Sequence, residues 1–312
     1  MKKAMVTGGA GFIGSHICES LLADGIEVIS YDNYSAGKPE NLAPLKEKYG
    51  DQLIDVAGDV LNVDYLRHEM ADVDCVFHNA ASKKNICMHD PRLDLQVNAE
   101  GAFNVMQTAK ARKVRKVVHA STGSVYGEPV ELPQTESHSL KPLSFYGVSK
   151  LAGDRYAYMF AKQTGLDVTI LRYFHVYGPR QDNGPFGGVV SIFAHNILEG
   201  KPVTIYGDGL QERSFTYVKD VVRINRMVAE KPGHGEVYNC ASGISVTIEE
   251  LARELMALAD IEVPIIYTHP LAGDIQHFCM DPSKVKSLGF EFEMPFTEGL
   301  KHVLDYEGVR TR

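Results

Sequence analysis

Long apolar runs are missing from this chain. No stretch approaches the ~18 apolar residues that a membrane span needs, so a transmembrane reading is set aside. The charged start Met1-Lys2-Lys3 is followed by an apolar stretch that stops at Gly8, too short for the core of a signal peptide. Positive charge is also in short supply, with 32 Lys and Arg against 40 Asp and Glu and a net charge of −8. A nucleic-acid partner is therefore not expected, and an anionic ligand must be met by a few local cations. The five cysteines contain no CxxC pair, show no metal-type spacing and are odd in number. They read as reduced thiols of a cytoplasmic protein rather than a disulfide framework. The twelve histidines form no HxxxH or His/Cys cluster, so no metal site is expected.

What is present is an alternation of short apolar strands and amphipathic helices. Strands are expected at "KAMVT" (residues 3–7), "EVISYD" (27–32), "LIDVA" (53–57), "CVFHN" (75–79), "KVVHAS" (116–121) and "DVTILRY" (167–173). Helical periodicity falls between most of them, over residues 11–24, where Ile13, Ile17, Leu21 and Leu22 share a face, and over 93–113 and 145–164. Alternation of this kind predicts an α/β fold, a doubly wound parallel sheet with helices on both faces. After Tyr173 glycine and proline cluster and the elements become irregular. The expected organisation is a nucleotide-binding domain over 1–173 and a smaller, mainly substrate-binding region over 174–312, with some segments returning to the core. At 312 residues the chain is long enough for either one large core or two moderate ones.

The stretch "TGGAGFIG" (7–14) puts four glycines in eight positions between a strand and a helix. That is where a dinucleotide pyrophosphate sits in a Rossmann unit, approached closely by the backbone and met by a helix N-terminus. Two spacings fit at once: Gly8, Gly11 and Gly14 as GxxGxxG, and Gly9, Gly11 and Gly14 as GxGxxG. Asp32 ends the next strand, where a carboxylate accepts hydrogen bonds from the ribose hydroxyls and repels a 2′-phosphate, so NAD is expected over NADP. Asp59, in "AGDV", reads equally as a contact to the adenine amino group and as a turn carboxylate.

The second constellation is "STGSVYG" (121–127) followed by "SFYGVSK" (144–150). Tyr146 and Lys150 are four apart and share a helix face. YxxxK occurs three times, at Tyr34/Lys38, Tyr146/Lys150 and Tyr158/Lys162. Only Tyr146 opens a helix that follows a strand ending in a hydroxyl-rich loop. A phenol titrates near 10 in water, but a neighbouring ammonium and a cationic nicotinamide favour the phenolate and make it a usable base. A loop hydroxyl then shares the hydrogen bond to the substrate.

With these motifs in place the chain resembles the extended short-chain dehydrogenases/reductases, specifically the NAD-dependent nucleotide-sugar epimerase/dehydratase group. The resemblance runs through "TGGAGFIG", "HNAAS", "STGSVYG", "YGVSK", "LRYFHVYGPRQ", "GDGLQERSFTYVKDV" and "GDIQHFCMD". It implies Thr122, Tyr146 and Lys150 as the catalytic residues. It implies that Lys83 contacts the cofactor and that Asn98 braces the active site. Phe12, Ile13, Asn33 and Val60 fall on the implied cofactor path, as do Ala80, Ala81 and Tyr173. On the substrate side it implies Ser124, His175, Arg213 on the diphosphate, Asp274, and Phe278 beside the sugar C2. It also implies a UDP-sugar substrate and a homodimer paired through the helices over 93–113 and 145–164.

Three departures from the group's pattern carry information. Gly123 and Ser124 stand where dehydratases, and decarboxylases of the group, place an acid after the catalytic Thr. His175 replaces the asparagine of "RYFN", and its part is open between substrate contact and packing. Leu271 replaces the arginine of "RxGD", which leaves Arg213 or Arg180 to carry more of the diphosphate charge. The expected activity is NAD-dependent epimerisation of a UDP-sugar at C4, with UDP-glucose and UDP-galactose favoured. The alternatives are 4-epimerisation of a UDP-N-acetylhexosamine or UDP-glucuronate, or decarboxylation or dehydration. A non-catalytic nucleotide sensor has no use for Thr122, Tyr146 and Lys150 together.

Overall fold

The computed structural model describes residues 1–82, 89–184, 187–270 and 275–310. Its first half runs β1 (Lys3–Thr7), α1 (Phe12–Ala23), β2 (Glu27–Asp32), α2 (Ala43–Tyr49), β3 (Leu53–Ala57), α3 (Val63–Glu69) and β4 (Cys75–His78). It continues through α4 (Pro91–Leu95), α5 (Gly101–Ala111), β5 (Lys116–Thr122), α6 (Phe145–Thr164) and β6 (Val168–Tyr173). Then follow β7 (Val176–Tyr177), α7 (Val189–Leu198), β8 (Val203–Tyr206), β9 (Glu212–Ser214), β10 (Thr216–Tyr217) and α8 (Val218–Ala229). The remainder is β11 (Glu236–Cys240), β12 (Ser245–Thr247), α9 (Ile248–Ala259), β13 (Ile265–Thr268), α10 (Ser283–Lys286) and α11 (Phe296–Arg310).

Two units emerge, and both draw on separated parts of the chain. The first comprises Met1–Val125, Ser144–Arg172 and Val222–Tyr238, and the second Tyr126–Leu143, Tyr173–Val221 and Asn239–Arg312. The first unit is built on a seven-stranded sheet in the order β11-β6-β5-β4-β1-β2-β3. The pairs β1/β2, β1/β4, β2/β3 and β4/β5 are all parallel. From β3 to β6 this is the Rossmann order, and the direction of winding switches between β1 and β4, where ligands of such sheets bind at the strands' carboxyl ends. Met5, Ile29, Val76 and Val117 of the sheet pack with Val105, Met106 and Ala157 of the helices in one core. Segment 222–238 is tied back by Arg226, whose guanidinium donates to the Ser20 carbonyl at 2.8 Å and to Asp24 Oδ2 at 2.5 Å.

Helix boundaries follow local chemistry. Gly11 precedes α1 in extended conformation, and Ile17, Leu21 and Leu22 are buried as the periodicity requires. Ser144 Oγ accepts from the Gly147 N–H at 3.1 Å and starts α6, while Gly165, left-handed at φ 70°, ends it. The helix expected over 93–113 differs. Asp90 caps a start at Pro91, and α4 and α5 are joined by a π turn over Gln96–Glu100. Gly101 follows it because a Cβ there lies 2.7 Å from Val60 Cγ2.

The second unit has its own core, formed by Phe193 and Ile197 of α7, Leu251 and Leu255 of α9, and Leu300 and Val303 of α11. Its strands pair two by two, β7 with β10 and β8 with β13 in parallel, and β9 with β12 antiparallel. Thr247 and Glu250 form a reciprocal capping box at the start of α9.

Candidate active site

The glycine loop lies at the switch between β1 and β4, and each of its glycines answers a different contact. Gly8 is left-handed at φ +71°, and a Cβ on it lies 2.8 Å from the Ala80 backbone N. A Cβ on Gly9 lies 2.5 Å from Ser30 Oγ, and one on Gly14 lies 2.0 Å from the Gly8 carbonyl oxygen. Gly14 therefore lets α1 start directly against the loop. Gly11 is different, because the closest atom to a Cβ there is the Gly8 oxygen at 3.1 Å and no other neighbour lies within 4 Å. The bare side of Gly11 is the open part of the cradle, at the N-terminus of a twelve-residue helix. Phe12 and Ile13 form the first turn of that helix.

Asp32 is buried at the end of β2. Its Oδ2 accepts from the Ala10 N–H at 3.0 Å and its Oδ1 from the Tyr34 N–H at 2.8 Å. Burial raises its carboxyl above the usual range, and the N–H groups of Tyr34, Ala10 and Gly11 oppose that shift. A buried carboxylate beside the glycine turn fits a ribose diol and opposes a 2′-phosphate. The residues present therefore fit NAD. Glycine 37 crowds the same carboxylate, since a Cβ there lies 2.7 Å from either oxygen.

Asp59 acts as a turn carboxylate and more. Its Oδ1 accepts from the Leu61 N–H and its Oδ2 from Asn33 Nδ2, both at 2.8 Å. Val60 is buried, and its carbonyl accepts from Asn104 Nδ2 at 3.1 Å. After β4, the Ala80 N–H donates to Thr7 Oγ1 at 3.3 Å, Ala81 is exposed, and the Ser82 N–H donates to Asn98 Oδ1 at 2.9 Å. Lys83 lies outside the described residues.

Asn98 sits in the π turn and is a brace in the literal sense. Besides holding the loop at Ser82, its Nδ2 donates to Asp94 Oδ1 at 2.8 Å and to Ser149 Oγ at 3.1 Å. Ser149 Oγ in turn donates to the Tyr146 carbonyl at 3.0 Å. One side chain thus fixes the loop after β4 to the first turn of α6. A π turn inside a helix commonly marks such a site.

The three catalytic candidates all belong to the first unit. Thr122 closes β5, and its Oγ1 accepts from the Ser124 N–H at 3.2 Å and donates to Ser124 Oγ at 3.4 Å. Lys150 is buried, and its Nζ donates to the Ala120 carbonyl at 2.6 Å. That bond seats α6 against the end of β5, two residues from Thr122, with Tyr146 one turn earlier on the same face. Burial pushes the Lys150 ammonium down to about 8, against the pull of Asp154 and then Asp94. The other two YxxxK pairs have ordinary roles. Lys162 Nζ stands over the Tyr158 ring at 5.4 Å, and Tyr34 Oη donates to Asp55 Oδ1 at 2.5 Å.

Beneath Lys150 is a buried polar group that the motifs do not include. His119 Nε2 lies 3.6 Å from Asp154 Oδ1, and Arg172 Nε lies 3.3 Å from Asp154 Oδ2. His78 stacks on His119 with ring centroids 5.2 Å apart and shares a 2.7 Å hydrogen bond with Thr7 Oγ1. Burial lowers both imidazoles, so they are neutral at physiological pH. The one sequence signal for this group is spacing: Asp154 is four residues after Lys150, and Asp94 four before Asn98.

Of the substrate-side candidates, Ser124 belongs to the first unit and His175, Arg213 and Phe278 to the second. Tyr173 ends β6. His175 has φ 30°, and its ring meets those of Phe278 and Phe215 edge-on at 5.0 and 5.8 Å. Arg213 is buried, donates through Nη1 to the carbonyls of Ile275 and Glu212 at 2.7 and 2.8 Å, and lies 5.6 Å from the Phe278 ring centroid. Phe278 is buried, against Phe174 as well as His175. The strand-like segment that carries it is held by the 126–143 insert, where the Gln134 N–H donates to the Cys279 carbonyl at 2.8 Å and the Gln276 N–H to Glu128 Oε1 at 3.1 Å. Asp274 and Leu271 lie outside the described residues. Among the described residues no cluster of three metal-ligating side chains occurs, and no helix is long and apolar enough to cross a membrane.

A Rossmann-order sheet, a glycine cradle and a buried carboxylate at the end of β2 define a nucleotide-binding fold, with Thr122, Tyr146 and Lys150 as its catalytic candidates. Residues 4–241 match the model of the NAD dependent epimerase/dehydratase family, and the chain belongs to that family. It is 34% identical to a UDP-glucose 4-epimerase of Thermotoga maritima solved with UDP-glucose, with a TM-score of 0.94 over 99% of this chain and 100% of that one. It is 34% identical to a UDP-N-acetylglucosamine 4-epimerase of Methanobrevibacter ruminantium in complex with UDP-N-acetylmuramic acid, with a TM-score of 0.92 over 99% of both chains. A UDP-N-acetyl-alpha-D-glucosaminuronate decarboxylase of Bacillus cytotoxicus is 31% identical over 98% of this chain and 97% of the relative.

Proposed function

We propose that this enzyme interconverts UDP-glucose and UDP-galactose by epimerisation at C4. The observation that carries the reading is the pair Gly123 and Ser124 directly after Thr122. Neither has a carboxyl group, and Ser124 spends its N–H on Thr122 Oγ1. Elimination of water across C5 and C6, or loss of a carboxylate, calls for an acid or base at that place. Epimerisation needs none beyond Tyr146.

NAD held by the Gly8–Gly14 cradle and Asp32 would supply a hydride acceptor and donor at the sugar C4. Tyr146, as phenolate, accepts the C4 hydroxyl proton while Thr122 Oγ1 donates a hydrogen bond to the same sugar oxygen. Lys150 favours the phenolate by its charge. When the 4-keto sugar has turned its other face, Tyr146 gives the proton back. Asn98 keeps Tyr146 in register through Ser149. In the second unit, Arg213 meets the diphosphate, His175 contacts the sugar side, and Phe278 limits the space at C2. The cycle is redox-neutral, so the cofactor has no reason to leave between turnovers.

We further infer a homodimer through α4, α5 and α6, supported by the exposed Leu95, Tyr156 and Met159 on those helices. Multi-angle light scattering tests it, and a monomer at micromolar concentration refutes it. The activity itself is tested by incubating the enzyme with a panel of UDP-sugars and separating the products. Interconversion of UDP-glucose and UDP-galactose without change of mass is expected. Products lighter by water or carbon dioxide refute the reading.

A further inference from the structure

A phosphate cradle made of backbone depends on how its peptide planes are held. In this loop one plane is held by a side chain outside every motif. Ala10 is fully buried, so both of its backbone groups need partners inside the protein. Its N–H donates to Asp32 Oδ2 at 3.0 Å. Its carbonyl oxygen has two lone pairs and meets two donors, the Lys38 N–H at 3.0 Å and Asn41 Nδ2 at 2.8 Å. The first is a backbone donor that every residue but proline supplies. The second requires a side-chain amide, and Asn41 is only 7% exposed.

Both donors come from one short turn. Pro39–Asn41 is a single 3-10 turn that opens at Lys38, and the Asn41 N–H closes it on the Lys38 carbonyl at 3.0 Å. The turn can come this close because residue 37 is glycine: a Cβ there lies 2.7 Å from either oxygen of Asp32. The Ala10 carbonyl and the Gly11 N–H belong to one planar trans peptide, so holding the first aims the second. The Gly11 N–H is on the Gly8 carbonyl at 3.1 Å. Segment 32–41 therefore fixes the peptides on both sides of Ala10. With them it fixes the Cα of Gly11, whose bare side is the open part of the cradle.

We propose that Asn41 is a positioning residue for the cofactor: its amide holds the Ala10–Gly11 peptide so that the cradle is already set for a pyrophosphate when the nucleotide binds. A site that starts in its bound geometry has less freedom to lose on binding. The simpler account is a side chain that only pins segment 33–42 to the rest of the first unit. The two accounts differ in which part of a nucleotide feels the loss of the amide. Asp32 keeps its own hold on the Tyr34 N–H without Asn41. A positioning role therefore weakens ligands that carry the pyrophosphate and spares adenosine. A pinning role weakens both alike or neither.

The inference rests on the fit of the loop to NAD and not on which sugar is turned over. Nucleotide-free wild type and Asn41→Leu, which keeps the volume and removes the donor, are titrated with three probes. NAD and ADP are followed by isothermal titration calorimetry, and adenosine by ligand-observed NMR. Affinity for NAD and for ADP falls by about 3- to 10-fold, the size of one net hydrogen bond, and affinity for adenosine is unchanged. If Asn41→Leu does not fold, Asn41→Ser, which lets water reach the Ala10 carbonyl, is titrated in its place with the same result expected. An equal loss for adenosine and ADP, or no loss for either in a folded variant, overturns the proposal. Absence of turnover on any UDP-sugar refutes the epimerase reading alone, because the three affinities still decide the role of Asn41.

Discussion

Lys150→Met tests how much the buried Lys150 ammonium costs the fold. Burial takes Lys150 from an ordinary 10.5 down to about 8. At 1.36 kcal/mol for each pH unit, the charged form is disfavoured by roughly 3 kcal/mol in the folded protein. The sign follows from proton counts. Between pH 8 and 10.5 the unfolded chain keeps the lysine proton and the folded chain does not, so stability rises with pH through that window. This contribution is complete above 10.5 and lost as pH falls through 8. The methionine variant has no such term. Other alkaline groups, such as the buried Tyr31 and Tyr177 and the Lys116 ammonium, are common to both proteins and cancel in the difference. Asp94 and Asp154 lose a neighbour in the variant, which adds an offset but no slope above pH 8. Nucleotide-free wild type and variant are compared by scanning calorimetry from pH 7 to 10.5. The wild-type midpoint gains roughly 5 °C on that of the variant across the range, for a chain of this size. A difference that stays flat refutes the assignment of Lys150 as a buried, reluctantly charged group.

Tyr146→Phe lowers kcat by about 10²- to 10⁴-fold with little change in nucleotide binding, whereas Tyr34→Phe and Tyr158→Phe cost little; equal damage from Tyr158→Phe means that the wrong tyrosine has been chosen. Protein purified without added nucleotide releases NAD on acid treatment, and recovery of NADP alone contradicts the role given to Asp32. Phe278→Ser raises kcat/KM for UDP-N-acetylgalactosamine relative to UDP-galactose by about 10- to 100-fold, because an overpacked ring costs roughly 1–3 kcal/mol. A wild type that already prefers the acetylated sugar removes Phe278 from that role. Gly14→Ala abolishes nucleotide binding, since its Cβ would lie 2.0 Å from the Gly8 oxygen; unchanged NAD binding by calorimetry argues against the cradle as drawn.

The β1 to β3 strands and α6 were legible to the residue because local pattern and caps coincide there. "EVISYD" and "LIDVA" are β2 and β3 end to end, and Ser144 and Gly165 bracket α6 as chemistry requires. The π turn was not legible, because apolar periodicity blurs an insertion of one residue and Asn98 earns its place only through Ser82 and Ser149. The singling out of Tyr146 from three YxxxK pairs needed the elements around it. The Tyr158/Lys162 pair is equally good as spacing, and lies over the surface as a cation–π contact.

By itself the sequence determined the α/β alternation, the glycine turn and Asp32 at the end of β2, since each depends on a local pattern of residues. Tertiary structure alone decided what surrounds Lys150. Asp94, His119, Asp154 and Arg172 come from four different elements, and only the packing of α4 and α6 on the sheet brings them together. It also decided that 126–143 belongs with the second unit and 222–238 with the first. Those assignments rest on bonds across the chain, such as Arg226 to Asp24 and Gln134 to Cys279. A linear pattern carries periodicity, caps and turn residues; it does not carry which groups of other elements surround a buried ammonium, because that depends on how those elements pack and exclude water.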